Sequence, residues 1–271
     1  MDKYRVGWLF NLKIMKNKVV FITGAAGGIG FEIGKQFAKK GATVIISDIN
    51  GEDAVAAAAV LREKNLKASG IGCDVTNEEQ VIDVLTGIYK QYGRIDVVVN
   101  NAGLQYVSPI EDFPTEKFKM LIAVMLIGPF ITIKNVFPIM KKQRFGRIIN
   151  VASINGLIGF PGKAAYNSAK HGVIGLTKVA ALEGADFGIT VNAICPGYVD
   201  TKLVQRQLSD IAKLKNISVD KVLEEVIYPL VPQKRLLPIE EIGYYTLYLA
   251  SDHASGITGQ AVVIDGGYTA Q

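Results

Sequence analysis

Tyr166 and Lys170, four residues apart, form the pair in this sequence best suited to moving a proton. Residues at this spacing on a helix share a face and can meet. A phenol has a pKa near ~10, and an ammonium group held close to it favours the phenolate and lowers that pKa. The hydroxyl of Ser153 could hold the same substrate oxygen. The three residues predict a general base for an alcohol or carbonyl, although tyrosine and lysine also share this spacing on ordinary solvent-facing helices.

A glycine-rich turn near the N-terminus joins a predicted buried strand, residues 18–23, to a predicted amphipathic helix, residues 31–40. Glycines let the backbone approach a pyrophosphate closely, and a helix N-terminus offers it unpaired N–H groups and a partial positive charge. Because the turn lies between a strand and a helix, we expect it to bind a dinucleotide and not merely to reverse the chain. The candidate residues are Gly24, Gly28, Ile29 and Gly30.

Asp48 ends the second predicted strand, residues 43–47. A carboxylate at this place can accept hydrogen bonds from both ribose hydroxyls of the adenosine half and would repel a 2′-phosphate. The predicted cofactor is therefore NAD and not NADP. The alternative interpretation of Asp48 is a helix-capping or loop carboxylate.

Strand and helix patterns alternate along the whole chain, which is typical of parallel strands with crossover helices. The predicted fold class is α/β: one Rossmann-type, doubly wound parallel sheet with helices on both faces. Ligands bind beyond the carboxyl ends of such strands, where several candidate residues fall together. Further helices are expected at 52–64, 77–92, 115–142 and 239–250, and further strands at 95–99, 147–152, 190–194 and 261–264, with one more strand ending at 73–75.

Composition favours one soluble, cytoplasmic domain. The chain has 271 residues, of which 49% are hydrophobic, and no run reaches the ~20 continuous apolar residues of a membrane span. Its two cysteines, Cys73 and Cys195, lack a neighbouring partner, and its two histidines lack metal-ligand spacing, so no metal site is predicted. The net charge of +5 comes from scattered lysines, which argues against nucleic acid as a partner.

Residues 1–15 differ in pattern from the rest and carry the only tryptophan, Trp8. They lack the apolar stretch and cleavage site of a secretory signal. We interpret them as an N-terminal extension without assigned function, since translation could equally begin at Met15. The NAD-binding domain is expected to span residues 16–271, with a mobile substrate lid at about 198–238 that closes over the site.

The motifs together resemble the short-chain dehydrogenase/reductase family. The resemblance runs from about Lys16 to Gln271 and rests on Thr23-Gly-x-x-x-Gly-x-Gly30, Asn100-Asn-Ala-Gly103, Ser153, Tyr166-x-x-x-Lys170 and Pro196-Gly197. Within the family, the segments 104–105, 111–117, 169–173 and 265–270 are most similar to the D-3-hydroxybutyrate dehydrogenases. The resemblance implies an NAD-dependent enzyme, and the family usually forms homotetramers.

The resemblance also implies roles for further residues. Asp74 would bind the adenine, Asn100 would line the cofactor cleft, Lys170 would bind the nicotinamide ribose, and Thr201 would lie near the nicotinamide. The remaining cofactor-binding candidates are Val75, Asn101, Ala102, Gly103, Tyr166, Pro196, Gly197 and Val199.

In the hydroxybutyrate enzymes, four side chains hold the substrate carboxylate, and this chain matches three of them as Gln105, Lys163 and Gln207. Asn155 stands where that subgroup has histidine, so Lys163 would be the only charged group on the carboxylate. A solvated loop lysine and surface glutamines are the alternative interpretations. Ser153 and Tyr166 complete the predicted substrate site, and Tyr198 and Tyr268 would shape its walls.

Many family members carry an asparagine in the long central helix whose backbone carbonyl holds a water linked to the lysine, and here that place is Met125. Pro129, four residues later, has no N–H to donate to this carbonyl in a helix. We therefore hypothesise that the backbone carbonyl of Met125 stays free to take part in catalysis. The alternative is that Pro129 only kinks the helix for packing.

The expected reaction is reversible hydride transfer between nicotinamide and C3 of a short 3-hydroxy acid, such as D-3-hydroxybutyrate and acetoacetate. Two alternatives stay open. One is another dehydrogenase of the same fold that acts on 3-oxoacyl thioesters, sugars or small alcohols. The other is a non-catalytic dinucleotide-sensing protein.

Overall fold

Seven parallel strands form one sheet in the order β3-β2-β1-β4-β5-β6-β7. The computed structural model describes residues 15–202, 204–205, 208–209, 212 and 216–270. The strands are β1 (Val19–Ile22), β2 (Thr43–Asp48), β3 (Ala68–Gly72), β4 (Val97–Asn100), β5 (Gly146–Val151), β6 (Ile189–Pro196) and β7 (Ala261–Ile264). The α/β fold class predicted from the alternating pattern is confirmed.

Helices cover both faces of the sheet, which explains why the central strands are buried along their whole length and do not alternate between buried and exposed residues. Every residue of β1, β5 and β6 is buried. The helices are α1 (Gly28–Lys39), α2 (Gly51–Arg62), α3 (Glu78–Tyr92), α4 (Thr115–Ile122), α5 (Gly128–Gln143), α6 (Ala164–Gly184), α7 (Val219–Val222) and α8 (Ile239–Leu249). Because β1 pairs with both β2 and β4, the chain reverses direction across the sheet there and leaves a cleft at the strand ends.

The observed bounds differ from the expected ones in three informative places. Helix α1 begins at Gly28, three residues early, so the last glycines of the turn form its first helical turn. Strand β3 ends at Gly72, because Asp74 instead accepts hydrogen bonds from the N–H and hydroxyl of Thr76 in a local turn. The helix expected at 115–142 is interrupted by a π-helical turn, Ala123–Ile127.

The segment expected to be a lid has a small core of its own. Its described residues include α7, a second π-helical turn (Leu223–Ile227) and a 3-10 turn (Tyr228–Leu230). Val222, Ile227 and Val231 are buried in this core. The backbone N–H of Gln233 donates to the carbonyl of Gly266 at 3.1 Å, which attaches the segment to the C-terminal residues.

Two features concern the chain's ends and its apolar stretches. Met15 is buried in the main core and its N–H donates to the carbonyl of Lys40, whereas residues 1–14 lie outside the described part of the chain.

Among the described residues one helical stretch, Thr115–Gln143, is long and apolar enough to cross a membrane, and half of its apolar window is packed inside the protein. Core helices of ordinary domains share this property, so the stretch is weak evidence for a membrane span.

Candidate active site

The predicted catalytic side chains meet at the carboxyl end of β5. Ser153 follows the strand by two residues, and α6 carries both Tyr166 and Lys170. The Ser153 hydroxyl hydrogen-bonds the phenol of Tyr166. The Lys170 ammonium donates to the carbonyl of Val151 at 2.6 Å and lies 5.5 Å from the centroid of the Tyr166 ring. Ser153, Tyr166 and Lys170, which are separated in the sequence, therefore lie side by side in the structure.

Burial, and not the neighbouring ammonium, dominates the titration of this group in the protein alone. It raises the pKa of Tyr166, and the hydrogen bond from Ser153 only partly opposes that rise. Burial also lowers the pKa of Lys170 to about 8. In the protein alone, removal of the phenolate from water is the largest influence on the pKa of Tyr166, so the lowering by Lys170 that we expected is not seen there. Whether Lys170 lowers this pKa in the presence of the cofactor stays a prediction.

Cys195 lies against the catalytic group but stays uncharged. Burial raises the pKa of its thiol to about 11, although the backbone N–H of Ser153 and the charge of Lys170 both favour the thiolate. The side chain is completely buried. A neutral thiol in this place packs behind Ser153 and does not compete as a nucleophile.

The glycine-rich turn is shaped to receive a diphosphate. Gly24 and Gly28 have positive φ angles of 59° and 56°, which side chains rarely allow, and a Cβ on Gly24 would collide with the backbone of Ala102. No side chain caps the N-terminus of α1, and its first turn carries no acidic residue. Its backbone N–H groups therefore face the cleft without competing partners, as binding of a phosphate requires.

The two acidic residues stand at the adenosine end of the cleft. Asp48 Oδ2 accepts the N–H of Ala26 at 3.2 Å and so holds the glycine-rich turn. Asp74 uses Oδ1 for Thr76, which leaves Oδ2 without a hydrogen bond from the described chain. Beside them Ile49 is 75% exposed, an unusual state for an isoleucine and one suited to contact with a flat adenine ring.

One cleft of about 510 Å³ brings together most of the predicted residues. Its walls include Gly24, Gly28, Ile29, Asp48, Asp74, Val75, Asn101, Ala102, Gly103, Gln105, Ser153, Asn155, Lys163, Tyr166, Lys170, Pro196, Gly197, Val199 and Thr201. A glycine cradle at one end and a tyrosine–lysine pair at the other fit an extended nicotinamide dinucleotide.

Among the described residues, three predicted ones do not line this cleft. Gly30 is buried, and its lack of a side chain lets Asn101 and Ala25 pack against the helix start. The side chain of Asn100 turns into the interior and donates to Asn150. Met125 is buried beneath Tyr166. Gln207 lies outside the described residues, so its role stays a prediction.

Lys163 gives the catalytic end of the cleft a poorly hydrated positive charge. Its ammonium lies 4.5 Å from the ring centroid of Phe160 and 5.9 Å from that of Tyr166. Burial lowers its pKa, and no carboxylate of the described chain pairs with it. An unpaired, partly desolvated ammonium beside the catalytic tyrosine is suited to an anionic ligand.

Two amides line the same cleft as this lysine. The side-chain nitrogen of Gln105 is buried and has no hydrogen-bond partner in the described chain, which is costly unless a ligand accepts from it. Asn155 is buried, and its backbone N–H donates to the Ser153 hydroxyl at 3.1 Å. The rings of Tyr198 and Tyr268 lie 6.1 Å apart across the same end of the cleft.

The π-helical turn beneath the site changes the hydrogen bonding around Met125. The N–H of Gly128 donates to the carbonyl of Ala123, five residues back, and Pro129 follows with no N–H. The donor that an α-helix would direct at Met125 is therefore missing. Whether this carbonyl serves catalysis stays a hypothesis.

Several wall residues were not predicted. They include Ile49, Phe160, Val124, Lys202 and Val204. The only sequence signal was position, since Ile49 follows Asp48 directly and Phe160 lies in the loop before Lys163. Their contact with the cleft depends on how loops from different strands fold together.

Comparisons with known proteins agree with this geometry. The family model described as enoyl-(acyl carrier protein) reductase matches residues 24–269. The chain is 64% identical over 257 residues to the uncharacterized oxidoreductase YxjF of Bacillus subtilis (strain 168), covering 95% of this chain and 100% of that protein. It is 43% identical over 258 residues to the D-beta-hydroxybutyrate dehydrogenase of Rhizobium meliloti (strain 1021), covering 94% and 99%.

A solved structure shares the fold as well. The NAD+-bound xylitol dehydrogenase superposes with a TM-score of 0.87 at 37% identity, covering 93% of this chain and 99% of that one. The sheet order, the serine–tyrosine–lysine group and these relatives lead to one conclusion: the chain is an oxidoreductase and belongs to the short-chain dehydrogenase/reductase family.

Proposed function

We propose that the protein is an NAD-dependent dehydrogenase that interconverts a short 3-hydroxy acid, such as D-3-hydroxybutyrate, and its 3-oxo acid, such as acetoacetate. The observation that carries the proposal is Lys163, an unpaired ammonium in a partly dry position beside Tyr166. A carboxylate on this ammonium would place a carbon two bonds further along near the phenol. The 43% identity to the Rhizobium enzyme supports the same substrate class.

The protein's own groups would handle the proton. Tyr166, as phenolate, takes the proton of the substrate hydroxyl, and Ser153 donates a hydrogen bond to the same oxygen. Lys170 stabilises the phenolate and binds the nicotinamide ribose. Oxidised nicotinamide, when bound, supplies the hydride acceptor and a positive charge. Because burial alone raises the pKa of Tyr166, formation of the phenolate depends on both positive charges acting together.

We propose NAD as the cofactor, because the carboxylate of Asp48 stands at the end of β2, where the adenosine ribose would lie. A 2′-phosphate there would meet a like charge. The NAD+-bound state of the xylitol dehydrogenase neighbour agrees with this choice.

We also propose a cytoplasmic homotetramer. Two observations support it: Cys73 and Cys195 are free thiols, as expected in a reducing compartment, and several large apolar side chains are exposed on α5 and α6, including Phe130, Val179 and Leu182.

The test is a substrate panel assayed with NAD and with NADP. It contains both enantiomers of 3-hydroxybutyrate, a 3-hydroxyacyl thioester, xylitol and 2-butanol. The proposal expects the highest kcat/KM for one enantiomer of 3-hydroxybutyrate with NAD, and loss of turnover in Tyr166→Phe with NADH binding retained. A thioester or a neutral alcohol as the best substrate would overturn the substrate assignment. Binding of NADH without turnover of any alcohol would favour a sensing protein.

A further inference from the structure

Three buried polar side chains, Asn100, Asn150 and Thr177, form a continuous chain of hydrogen bonds beneath the active site. The side-chain nitrogen of Asn100 donates to Asn150 Oδ1 at 2.8 Å, and that of Asn150 donates to the Thr177 hydroxyl at 2.8 Å. The Thr177 hydroxyl donates in turn to the carbonyl of Val173 at 2.7 Å. We call these three residues the polar tie.

The polar tie crosses three elements that carry parts of the site. Asn100 ends β4, and the next residues of the chain line the cleft. Asn150 lies on β5, three residues before Ser153. Thr177 lies on α6, the helix that carries Tyr166 and Lys170.

The polar tie is buried among apolar side chains, where polar groups are unusual. Asn100, Asn150 and Thr177 are 5%, 0% and 1% exposed, among the apolar residues that join the sheet to α6. Buried amides and hydroxyls are tolerated only when they are hydrogen-bonded, and apolar side chains of similar size would fill this space without that requirement. Directional hydrogen bonds favour a single position of α6 along the sheet, whereas apolar side chains could pack in several positions.

A second attachment joins the same strand and helix. Lys170 donates to the carbonyl of Val151, which follows Asn150 directly on β5. Thr177 comes seven residues after Lys170, two turns along the same helix face and about 10 Å further at the α-helical rise. Two attachments at this separation fix both the axial position and the rotation of α6 on β5.

We propose that Asn150 and Thr177 are positioning residues that hold α6 in register on β5, so that Tyr166 and Lys170 stand opposite Ser153. The inference rests on the proposed function only in assuming that this group is catalytic. It concerns alignment for the chemical step more than affinity for the cofactor, because Lys170 would be only one of many residues that bind the cofactor.

The main variant is Thr177→Val, which keeps the shape of the side chain but leaves the amide of Asn150 without its acceptor. Thr177→Ser restores the hydroxyl. Thr246→Val is the matched control, because Thr246 is also completely buried in a helix and donates to the carbonyl four residues back, Ile242, at 2.7 Å. Its hydroxyl accepts no side-chain hydrogen bond in the described chain.

Misalignment of reacting groups is costly, so Thr177→Val should lower kcat by about ten-fold or more. KM for NAD should change less than kcat, because Lys170 would be only one of many contacts to the cofactor. Thr177→Ser should recover kcat to within about two-fold by restoring the same alignment. Thr246→Val should lower Tm and leave kcat unchanged. A folded Thr177→Val protein with normal kcat, or equal losses of kcat in the two valine variants, would overturn the proposal.

Asn150→Ala tests the same tie from the strand, and it leaves space for a water. It should reproduce the fall in kcat of Thr177→Val. If neither variant folds while Thr177→Ser is fully active, the polar tie serves stability alone and a positioning role is rejected.

A second readout does not depend on the substrate. Ultraviolet titration of tyrosinate, with Tyr166→Phe as the blank, follows Tyr166 directly in the presence of NAD. The charged or titratable groups that face Tyr166 and Lys170 are Lys163 and Cys195. Thr177→Val should move the Tyr166 titration to higher pH, because its ammonium partner is displaced. An unmoved titration would contradict the inference even if 3-hydroxy acids prove not to be substrates.

Discussion

At the scale of single residues, burial has opposite effects on the pKa values of two side chains in the site, Tyr166 and Lys163. Tyr166 has a raised pKa and Lys163 a lowered one, both through loss of water. In the proposed mechanism, the same dry surroundings would keep Tyr166 neutral until the oxidised cofactor binds, and would strengthen the attraction of Lys163 for an anionic substrate.

We expect Lys163→Met to raise KM for 3-hydroxybutyrate by about 10- to 100-fold, since a hydrogen bond to a charged group contributes ~1.5–3 kcal/mol. KM for 2-butanol should barely change, because it has no carboxylate. Steady-state kinetics on both substrates check this. The matched control is Lys202→Met, at the exposed rim of the same cleft. Equal effects of the two variants would indicate general charge attraction and not a carboxylate site.

The affinity for the acid should also depend on pH in one direction. Lys163 binds a carboxylate only as ammonium, so binding is full below its pKa and is lost as pH rises through it. Burial lowers that pKa from the ordinary 10.5, so the loss should begin at a lower pH than for an exposed lysine. The ratio of kcat/KM for 3-hydroxybutyrate and 2-butanol, followed against pH, measures this effect. Because Asn155 cannot titrate, a step in the ratio near pH ~6.5, where histidine titrates, would contradict the interpretation.

Asp48→Asn should shift cofactor preference towards NADP. The amide keeps an oxygen that can accept the N–H of Ala26 but removes the charge that would repel a 2′-phosphate. We expect the ratio of kcat/KM for NAD over NADP to fall by about ten-fold or more, since like charges in contact cost several kcal/mol. Asp53→Asn, an exposed carboxylate five residues away on α2, is the control. An unchanged ratio would mean that Asp48 does not contact the ribose.

At the scale of elements, the unusual feature is the π-helical turn between α4 and α5. It lies beneath Tyr166, packs through the buried Met125, and is followed two residues later by Pro129. Single π-helical turns are often found at functional sites, because they leave backbone carbonyls without their usual donors.

Pro129→Ala restores an N–H that can donate to the carbonyl of Met125. If that carbonyl takes part in proton transfer, kcat should fall by about ten-fold, as for loss of a weaker acid–base contribution, and its pH profile should move. NADH binding should remain. Pro138→Ala is the matched control, since Pro138 is an exposed proline further along the same helix. Unchanged turnover at every pH, with the new hydrogen bond seen in a crystal structure, would remove the hypothesis.

At the scale of the whole molecule, exposed apolar side chains on the long helices support the proposed self-association. Leu182 on α6 is 81% exposed and Phe130 on α5 is 50% exposed. Side chains of this size rarely cluster on the surface of a monomer.

Leu182→Glu should therefore convert a tetramer of the 29.3 kDa chain into smaller species in size-exclusion chromatography with light scattering. A buried unpaired charge costs several kcal/mol per chain, enough to separate the subunits. Val55→Glu, at a half-exposed valine on α2, should leave the assembly unchanged. A monomeric wild-type protein would contradict the proposed tetramer.

The sequence by itself determined the fold class, the glycine-rich turn before α1 and the grouping of Ser153, Tyr166 and Lys170. Strand-to-helix alternation, glycines placed at a strand end and a four-residue tyrosine–lysine spacing are local patterns, and local geometry makes them specific. Most of the predicted cofactor and substrate residues accordingly lie on one cleft.

Only the tertiary structure decided what depends on burial and on contacts between distant segments. It showed that burial raises the pKa of Tyr166 in the protein alone, turned Asn100 away from the cleft, brought Ile49 and Phe160 onto its walls and joined Asn150 to Thr177. Burial and long-range hydrogen bonds leave no repeating pattern in the sequence, because they arise only when separate elements pack together.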